Sequence, residues 1–142
     1  MRCVDVNVLV NAHRPEAPDH DRYRAWLDDA RTSDEALGVS DLVLSGFLRV
    51  VTHPRIFREP TPHTEALAAV DAVRHGANVV LVSPGDRHWQ IFRDLVASAE
   101  ARGNLVPDAY LAAMAIERGA TWYSADRGFA RFPRLDWRHP LD

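Results

Sequence analysis

Hydrophobic and polar positions along the chain predict alternating strands and helices. Short apolar runs predict strands over residues 2–6, 37–39, 78–82, 121–124 and 135–138, and the first of these is expected to be buried. Between them, apolar residues that recur every three or four positions predict helices over residues 7–12, 20–30, 42–51, 63–75, 87–101, 107–118 and 126–132. Asp19 and either Ser40 or Asp41 are expected to cap two of these helices.

Strands separated by helices of this length indicate crossover connections and a parallel sheet. We therefore expect a three-layer α/β domain, in which a central parallel sheet is flanked by helices. The chain has 142 residues, which suffices for one domain with one sizeable core. No repeat or long linker divides it, so residues 1–142 are expected to form a single domain.

Composition narrows the classes of protein to consider. A net charge of −3 argues weakly against broad electrostatic binding of nucleic acid, without excluding a local basic surface. No apolar run approaches the roughly 20 residues that span a membrane, and no signal peptide is evident, so a cytosolic protein is expected. The single cysteine, Cys3, allows no internal disulfide and is expected to be a small buried hydrophobe.

Three aspartates stand at junctions between predicted elements. Asp5 lies in an apolar segment around the end of the first strand, where a carboxylate is costly unless it is paired or binds a metal. Asp126 follows the fourth strand, and Asp108 lies in the first turn of a mostly apolar helix. Each has a plainer role available, because Asp5 and Asp126 can cap helices and Asp108 can interact with a helix dipole.

Considered together, the three aspartates predict a metal site. Ligands of open α/β sheets bind outside the carboxyl ends of the strands, so Asp5 and Asp126 should converge on one crevice. Carboxylate oxygens suit Mg²⁺ or Mn²⁺, and no cysteine or histidine pair suggests zinc. Such a cluster suits phosphodiester cleavage, in which the metal polarises the phosphate and lowers the pKa of an attacking water. No organic cofactor is expected.

At these residues the sequence resembles the PIN-domain ribonucleases, and among them the VapC toxins of bacterial toxin–antitoxin pairs. Residues 4–9 resemble the opening motif of that family, residues 106–113 its third-acid motif and residues 124–129 its fourth. The resemblance extends over nearly the whole chain, including residues 52–57 and 129–135.

This resemblance implies a single PIN domain over residues 1–142, with Mg²⁺ or Mn²⁺ bound at Asp5, Asp108 and Asp126. It implies cleavage of RNA, with tRNA or ribosomal RNA as typical targets, although the sequence does not specify which RNA is cut. A VapB-type antitoxin is the implied protein partner, and toxins of this kind commonly form homodimers. Asn7 and Ser124 are candidate supporting residues, and the hydroxyl of Ser124 suits a hydrogen bond to a ligating carboxylate.

Arginines are the candidate contacts for the RNA backbone. The chain contains 17 arginines and no lysine, which excludes every mechanism that needs a catalytic or phosphate-binding lysine. Arg49 is a candidate for the phosphate side of the site, because the guanidinium fork suits phosphate. A candidate basic rim near the C-terminus comprises Arg127, Arg131, Arg134 and Arg138.

The chain departs from the family pattern at the second acid. A glutamate is usual inside the helix that follows the second strand, and the alignment of residues 42–49 places Gly46 there. A subgroup of these toxins shares the Gly-Phe-Leu-Arg arrangement. Asp41 is a candidate substitute for the missing acid, although capping its own helix is the plainer role.

Two other functions stay open from the sequence. A degenerate PIN domain would bind antitoxin or RNA without cleaving it, and Gly46 is the feature that favours this alternative. A Mg²⁺-dependent phosphatase of the haloacid-dehalogenase type also has an early strand-end aspartate. It needs a second aspartate where this chain has Asn7, and it normally uses a lysine.

Overall fold

The computed structural model describes residues 1–142 and contains the expected alternation of strands and helices. Its strands are β1 (Arg2–Val4), β2 (Leu37–Val39), β3 (Val79–Leu81), β4 (Thr121–Tyr123) and β5 (Trp137–Arg138). Its helices are α1 (Val6–His13), α2 (His20–Thr32), α3 (Asp41–Val51), α4 (His63–Arg74), α5 (His88–Ser98) and α6 (Leu105–Glu117). A short 3₁₀ helix, Arg127–Arg131, lies between β4 and β5.

The strands form one parallel sheet in the order β3-β2-β1-β4-β5, which confirms the predicted α/β fold. The chain builds outward from β1 to β2 and β3 on one side, and places β4 and β5 on the other. The junction between β1 and β4 is therefore the topological switch point, where open α/β sheets bind their ligands. Val4 pairs with Tyr123 at the carboxyl ends of these two strands.

The helices cover the sheet in two groups. Helix α1 packs against α2 and α3, and α3 packs against α4, while α5 packs against α6. Apolar side chains from both groups and from the strands form one core, in which Val4, Val8 and Phe129 are fully buried. Cys3 is buried as predicted, and burial raises the pKa of its thiol to about 11. None of the helices combines the length and apolar character that crossing a bilayer requires.

Helix ends differ from the sequence prediction at several points. Ser40 caps α3, because its hydroxyl accepts a hydrogen bond from the backbone N–H of Leu42 at 3.1 Å. The predicted cap at Asp19 is wrong, since this residue has a left-handed backbone (φ 58°) and its side chain makes no capping bond. Its carboxylate lies 3.6 Å from the guanidinium of Arg22 instead.

Helix α5 is capped from outside its own sequence. The carboxylate of Glu117, the last residue of α6, accepts hydrogen bonds from the backbone N–H groups of Gly85 at 2.7 Å and Arg87 at 2.9 Å. These are donors at the start of α5 that no local side chain satisfies. The residues that connect α3 to α4 form turns and bends.

Candidate active site

Asp5 lies at the switch point, directly after β1, and is the N-cap of α1. Its side chain is 6% exposed. One carboxylate oxygen accepts a hydrogen bond from the backbone N–H of Val6 at 2.7 Å, and the other accepts from the Ser124 hydroxyl at 2.6 Å and the Asn7 amide at 3.1 Å. Asp5 therefore caps a helix, which was one of the two roles expected for it, and it is also a buried carboxylate at the ligand-binding edge of the sheet.

Asn7 and Ser124 form a polar clasp between the two chain segments that leave β1 and β4. The amide of Asn7 donates to the Ser124 hydroxyl oxygen at 3.0 Å and accepts from the backbone N–H of Ala125 at 2.9 Å. The same hydroxyl oxygen accepts from the backbone N–H of Asp126 at 3.0 Å, and Ser124 is fully buried. This clasp fixes the backbone of Asp126 relative to the carboxylate of Asp5.

Asp126 is the N-cap of the 3₁₀ helix, and its carboxylate accepts from the backbone N–H of Gly128 at 2.8 Å. Asp108 lies in the first turn of α6 and is half-buried. Burial, together with the negative charges of Asp126 and Asp5, raises the pKa of Asp108 to about 6. We call Asp5, Asp108 and Asp126 the acidic cluster, because each carboxylate lies within electrostatic reach of another.

The electrostatics of Asp5 follow the same pattern. Burial is the main cause that raises its pKa, and the charge of Asp126 adds to it. The hydrogen bonds from Ser124, Val6 and Asn7 act in the opposite direction, because they stabilise the ionised form. The fold therefore both buries this carboxylate and supplies it with three donors, which holds it as an acceptor of fixed orientation.

The acidic cluster has no cationic partner within the protein. None of its three carboxylates takes part in an ion pair, although arginines pair with aspartates elsewhere on the surface. The carboxylates do not close into a group of three or more protein ligands around one point. Carboxylate oxygens without a cationic partner suit Mg²⁺ or Mn²⁺, since Mg²⁺ is usually held by one or two carboxylates and keeps several waters. The residues present therefore fit such an ion.

Gly46 occupies the position where the family pattern expects a second acid, and the fold shows why no side chain is present. A Cβ on Gly46 would lie 2.8 Å from Cγ2 of Val6, the residue that follows Asp5. The space is filled by that side chain. Asp41 does not replace the missing acid: it pairs with Arg74 at 3.1 Å, and Asp108 responds to the charges of Asp5 and Asp126 alone.

The arginines proposed to contact RNA differ in whether they already pair with an acid of the protein. Arg49 is exposed on α3, three residues after Gly46, and makes no side-chain hydrogen bond or ion pair. The predicted basic rim is largely neutralised, because three of its four members pair with aspartates: Arg127 with Asp142, Arg134 with Asp94 and Arg138 with Asp136. The pairs of Arg127 and Arg134 could not be predicted from the sequence, because their partners lie far along the chain and other acids could have taken the same place.

Trp137 is a contact to the site that the sequence did not reveal. Its indole N–H donates to the backbone carbonyl of Ser124 at 3.2 Å, which supports the clasp from the β5 side. The sequence does place a tryptophan in the last predicted strand. Because paired residues of neighbouring strands lie side by side, a pairing of that strand with β4 would bring Trp137 close to Ser124.

Comparisons with known proteins identify the family of the chain. The family model described as "PIN domain" matches residues 2–135. Ribonuclease VapC43 of Mycobacterium tuberculosis is 54% identical over 142 residues, covering 100% of this chain and 97% of that protein. Ribonuclease VapC25 of the same organism is 43% identical over 132 residues, covering 93% of each.

Solved structures show the same fold at lower identity. The chain is similar to VapBC2 from Rickettsia felis bound to a promoter DNA fragment, with a TM-score of 0.73, 18% identity and 97% coverage of each chain. It is also similar to VapC20 of Mycobacterium tuberculosis, described as a sarcin-ricin loop cleaving toxin. There the TM-score is 0.69, at 20% identity, with 97% of this chain and 99% of that one covered. The chain belongs to the PIN domain family and, within it, to the VapC ribonucleases, which are toxins of toxin–antitoxin pairs.

Proposed function

We propose that residues 1–142 form one PIN domain that cleaves RNA phosphodiester bonds with Mg²⁺ or Mn²⁺ held at Asp5, Asp108 and Asp126. The observation that carries this proposal is the acidic cluster itself. Asp5 and Asp126 follow the neighbouring strands β1 and β4, Asp108 lies within electrostatic reach of both, and no arginine pairs with any of the three. Such an arrangement is costly for stability alone and is typical of a site that a cation completes.

The side chains around the cluster have distinct roles in this proposal. Ser124 and Asn7 orient Asp5 through the clasp, so that the one lone pair left without a hydrogen bond points in a fixed direction. Asp108, whose pKa is about 6, holds a proton at mildly acid pH, and binding of a cation should release that proton. A bound divalent ion would polarise the scissile phosphate and lower the pKa of an attacking water.

Arg49 is the proposed contact to a substrate phosphate. It is exposed, lies on the same helix as Gly46 and has no competing partner in the protein. A guanidinium that is free of other acids can bind both oxygens of a phosphate at once. Replacing Arg49 with alanine should therefore raise the substrate KM more than it lowers kcat.

We also propose a VapB-type antitoxin and a second copy of this chain as protein partners. Similar structures are VapBC complexes, such as VapBC-1 from nontypeable Haemophilus influenzae, with a TM-score of 0.71 and 13% identity. Exposed apolar side chains give additional support, since Leu42 and Leu81 lie on one surface cavity and are 53% and 44% exposed. Side chains of this kind are costly in water and often mark a protein interface.

RNA cleavage in the presence and absence of metal tests the proposed function. Total bacterial RNA is incubated with wild type, Asp108→Asn and the matched control Asp71→Asn, and new 5′ ends are mapped. Asp71 is an exposed aspartate in the middle of α4, away from the cluster. We expect cleavage with Mn²⁺ by wild type and control, a loss of at least about 100-fold in Asp108→Asn, and none in EDTA.

A second candidate function, binding without cleavage, is favoured by one observation. Val6 fills the space of the second acid, so the cluster has one carboxylate fewer than the usual family pattern. A protein that only binds would retain RNA in EDTA and in Mn²⁺ alike and would yield no new 5′ ends. Cleavage that depends on Mn²⁺ and on Asp108 would exclude this candidate.

A further inference from the structure

A cavity of about 530 Å³ lies between the start of β1, α2, β4, β5 and residues 139–142. Its size is within the range of small-molecule binding sites. We call it the aromatic cavity, because Trp26, Tyr123 and Trp137 line it from three different elements. All three residues are partly exposed rather than fully buried.

The aromatic rings form a wall suited to a flat ligand. The ring centroids of Trp26 and Tyr123 lie 4.8 Å apart, with their planes tilted by 46°. Trp137 is held in place by its indole hydrogen bond to the Ser124 carbonyl. Wide aromatic faces that are fixed and partly open to solvent stack well against the π-faces of nucleobases.

The polar side chains of the cavity match the edges of a base better than a phosphate. Arg2 and Arg138 provide guanidinium donors, and Asp29 and Asp142 provide carboxylate acceptors. Arg2 pairs with Asp29 at 3.0 Å, and Arg138 is 61% exposed. Because these two arginines are balanced by two aspartates, the cavity has no excess of positive charge to attract a phosphate.

The aromatic cavity is connected to the acidic cluster by short contacts. Trp137 binds the backbone of Ser124, whose hydroxyl binds Asp5. On the other side, the carboxylate of Asp142 pairs with Arg127 at 3.1 Å, and Arg127 directly follows Asp126. Two short series of contacts therefore link the cavity with the acidic cluster, one through Ser124 to Asp5 and one through Arg127 to Asp126.

We propose that the aromatic cavity binds one unpaired nucleobase of the RNA, close to the scissile phosphate. Stacking on Trp26 and Trp137 holds the base, and Arg138 with Asp29 or Asp142 reads its polar edge. The inference rests on the proposed ribonuclease function for its substrate class. It adds a subsite that would restrict cleavage to single-stranded positions, where a base can leave the helical stack.

Binding of short RNA in EDTA, where cleavage is not expected, tests the subsite separately from catalysis. A fluorescently labelled single-stranded heptamer is titrated with wild type, Arg138→Glu and the matched control Arg74→Glu, and anisotropy is measured. Both arginines are surface residues with one aspartate partner, but Arg74 lies on α4, outside the cavity. We expect about tenfold weaker binding in Arg138→Glu and less than twofold in Arg74→Glu.

Stacking is tested with Trp26 and with abasic RNA. Trp26→Ala should weaken binding about tenfold and Trp26→Phe by less than threefold, because phenylalanine retains an aromatic face. Circular dichroism controls for folding, since Trp26 also packs on the core. In heptamers with one abasic nucleotide, a single position should show a similar loss.

The inference is overturned if every abasic heptamer binds like the intact one, if Arg138→Glu and Arg74→Glu behave alike, or if no heptamer binds. Base-dependent binding without Mn²⁺-dependent cleavage would sink the proposed ribonuclease function and keep the subsite. Cleavage with Mn²⁺ that is insensitive to substitution of Trp26 and Arg138 would support the ribonuclease function and overturn the subsite.

Discussion

Replacing Asp108 with asparagine should stabilise the metal-free protein while it abolishes cleavage. Asparagine keeps the shape of the side chain and removes a charge that burial and the neighbouring aspartates disfavour. A rise in pKa from the ordinary value of 3.8 to about 6 corresponds to about 3 kcal/mol, at 1.36 kcal/mol per pH unit. Since Asp108 is only half-buried and water screens it, we expect about 1–2 kcal/mol of stabilisation.

The advantage of this variant should depend on pH in a defined direction. The folded protein binds the Asp108 proton more tightly than the unfolded chain does, so ionisation of Asp108 lowers stability. This unfavourable contribution is fully present above pH 6 or so and disappears as the pH falls from about 6 towards 3.8. Asp108→Asn should therefore exceed wild type in stability at pH 7.5 and match it near pH 4.

Urea unfolding in EDTA at the two pH values measures this difference directly. In thermal unfolding at pH 7.5, the melting temperature of Asp108→Asn should exceed that of wild type by about 3–8 °C for a domain of this size. Millimolar Mg²⁺ should stabilise wild type and narrow the gap, because binding to the folded state alone adds stability. Asp71→Asn is the control for removing a negative charge from the surface. Equal or lower stability of Asp108→Asn at pH 7.5, or an unchanged gain at pH 4, would refute the reasoning.

The remaining predictions concern packing, capping and reactivity. Gly46→Ala should destabilise the fold by about 1–3 kcal/mol in urea unfolding, because the new methyl group meets Val6. In a Val6→Ala background the same change should cost clearly less, and equal costs in the two backgrounds would contradict the contact. Glu117→Ala should lower the free energy of unfolding by about 0.5–2 kcal/mol and speed amide hydrogen exchange at the start of α5, because it removes the cap. Unchanged exchange there would show that water replaces the cap. Cys3 should resist iodoacetamide at pH 8 in the native state and react in urea, since its thiol is buried with a pKa of about 11; rapid native labelling would contradict its burial.

The acidic cluster could be predicted from the sequence because its geometry follows from the parallel sheet. Asp5 and Asp126 follow strands that become neighbours, and the carboxyl ends of parallel strands share one edge. Asp108 was identified by its family motif and not by its position, since a helix start reveals little about which strand end it approaches. The sheet order and the raised pKa of Asp108 supply that missing relation.

Other features depend on contacts between residues that are far apart in the chain. The cap of α5 comes from Glu117, about 30 residues further along, so no local pattern could indicate it. The sequence indicates a missing acid at Gly46 but not its cause, and the fold shows that the absent side chain makes room for Val6. Trp26 packs against the core and also lines the aromatic cavity, a double position that helical spacing cannot indicate, because it does not separate a buried face from its rim.

The central claim is that a divalent cation completes the acidic cluster and enables RNA cleavage. Titration of Mn²⁺, followed by electron paramagnetic resonance, on wild type and Asp5→Asn tests it most directly when cleavage is measured in the same samples. We predict that wild type binds Mn²⁺, that cleavage rises in proportion to the bound ion, and that Asp5→Asn weakens both by at least about 100-fold. Mn²⁺ binding that is unchanged in Asp5→Asn, or cleavage that persists in EDTA, would contradict the claim.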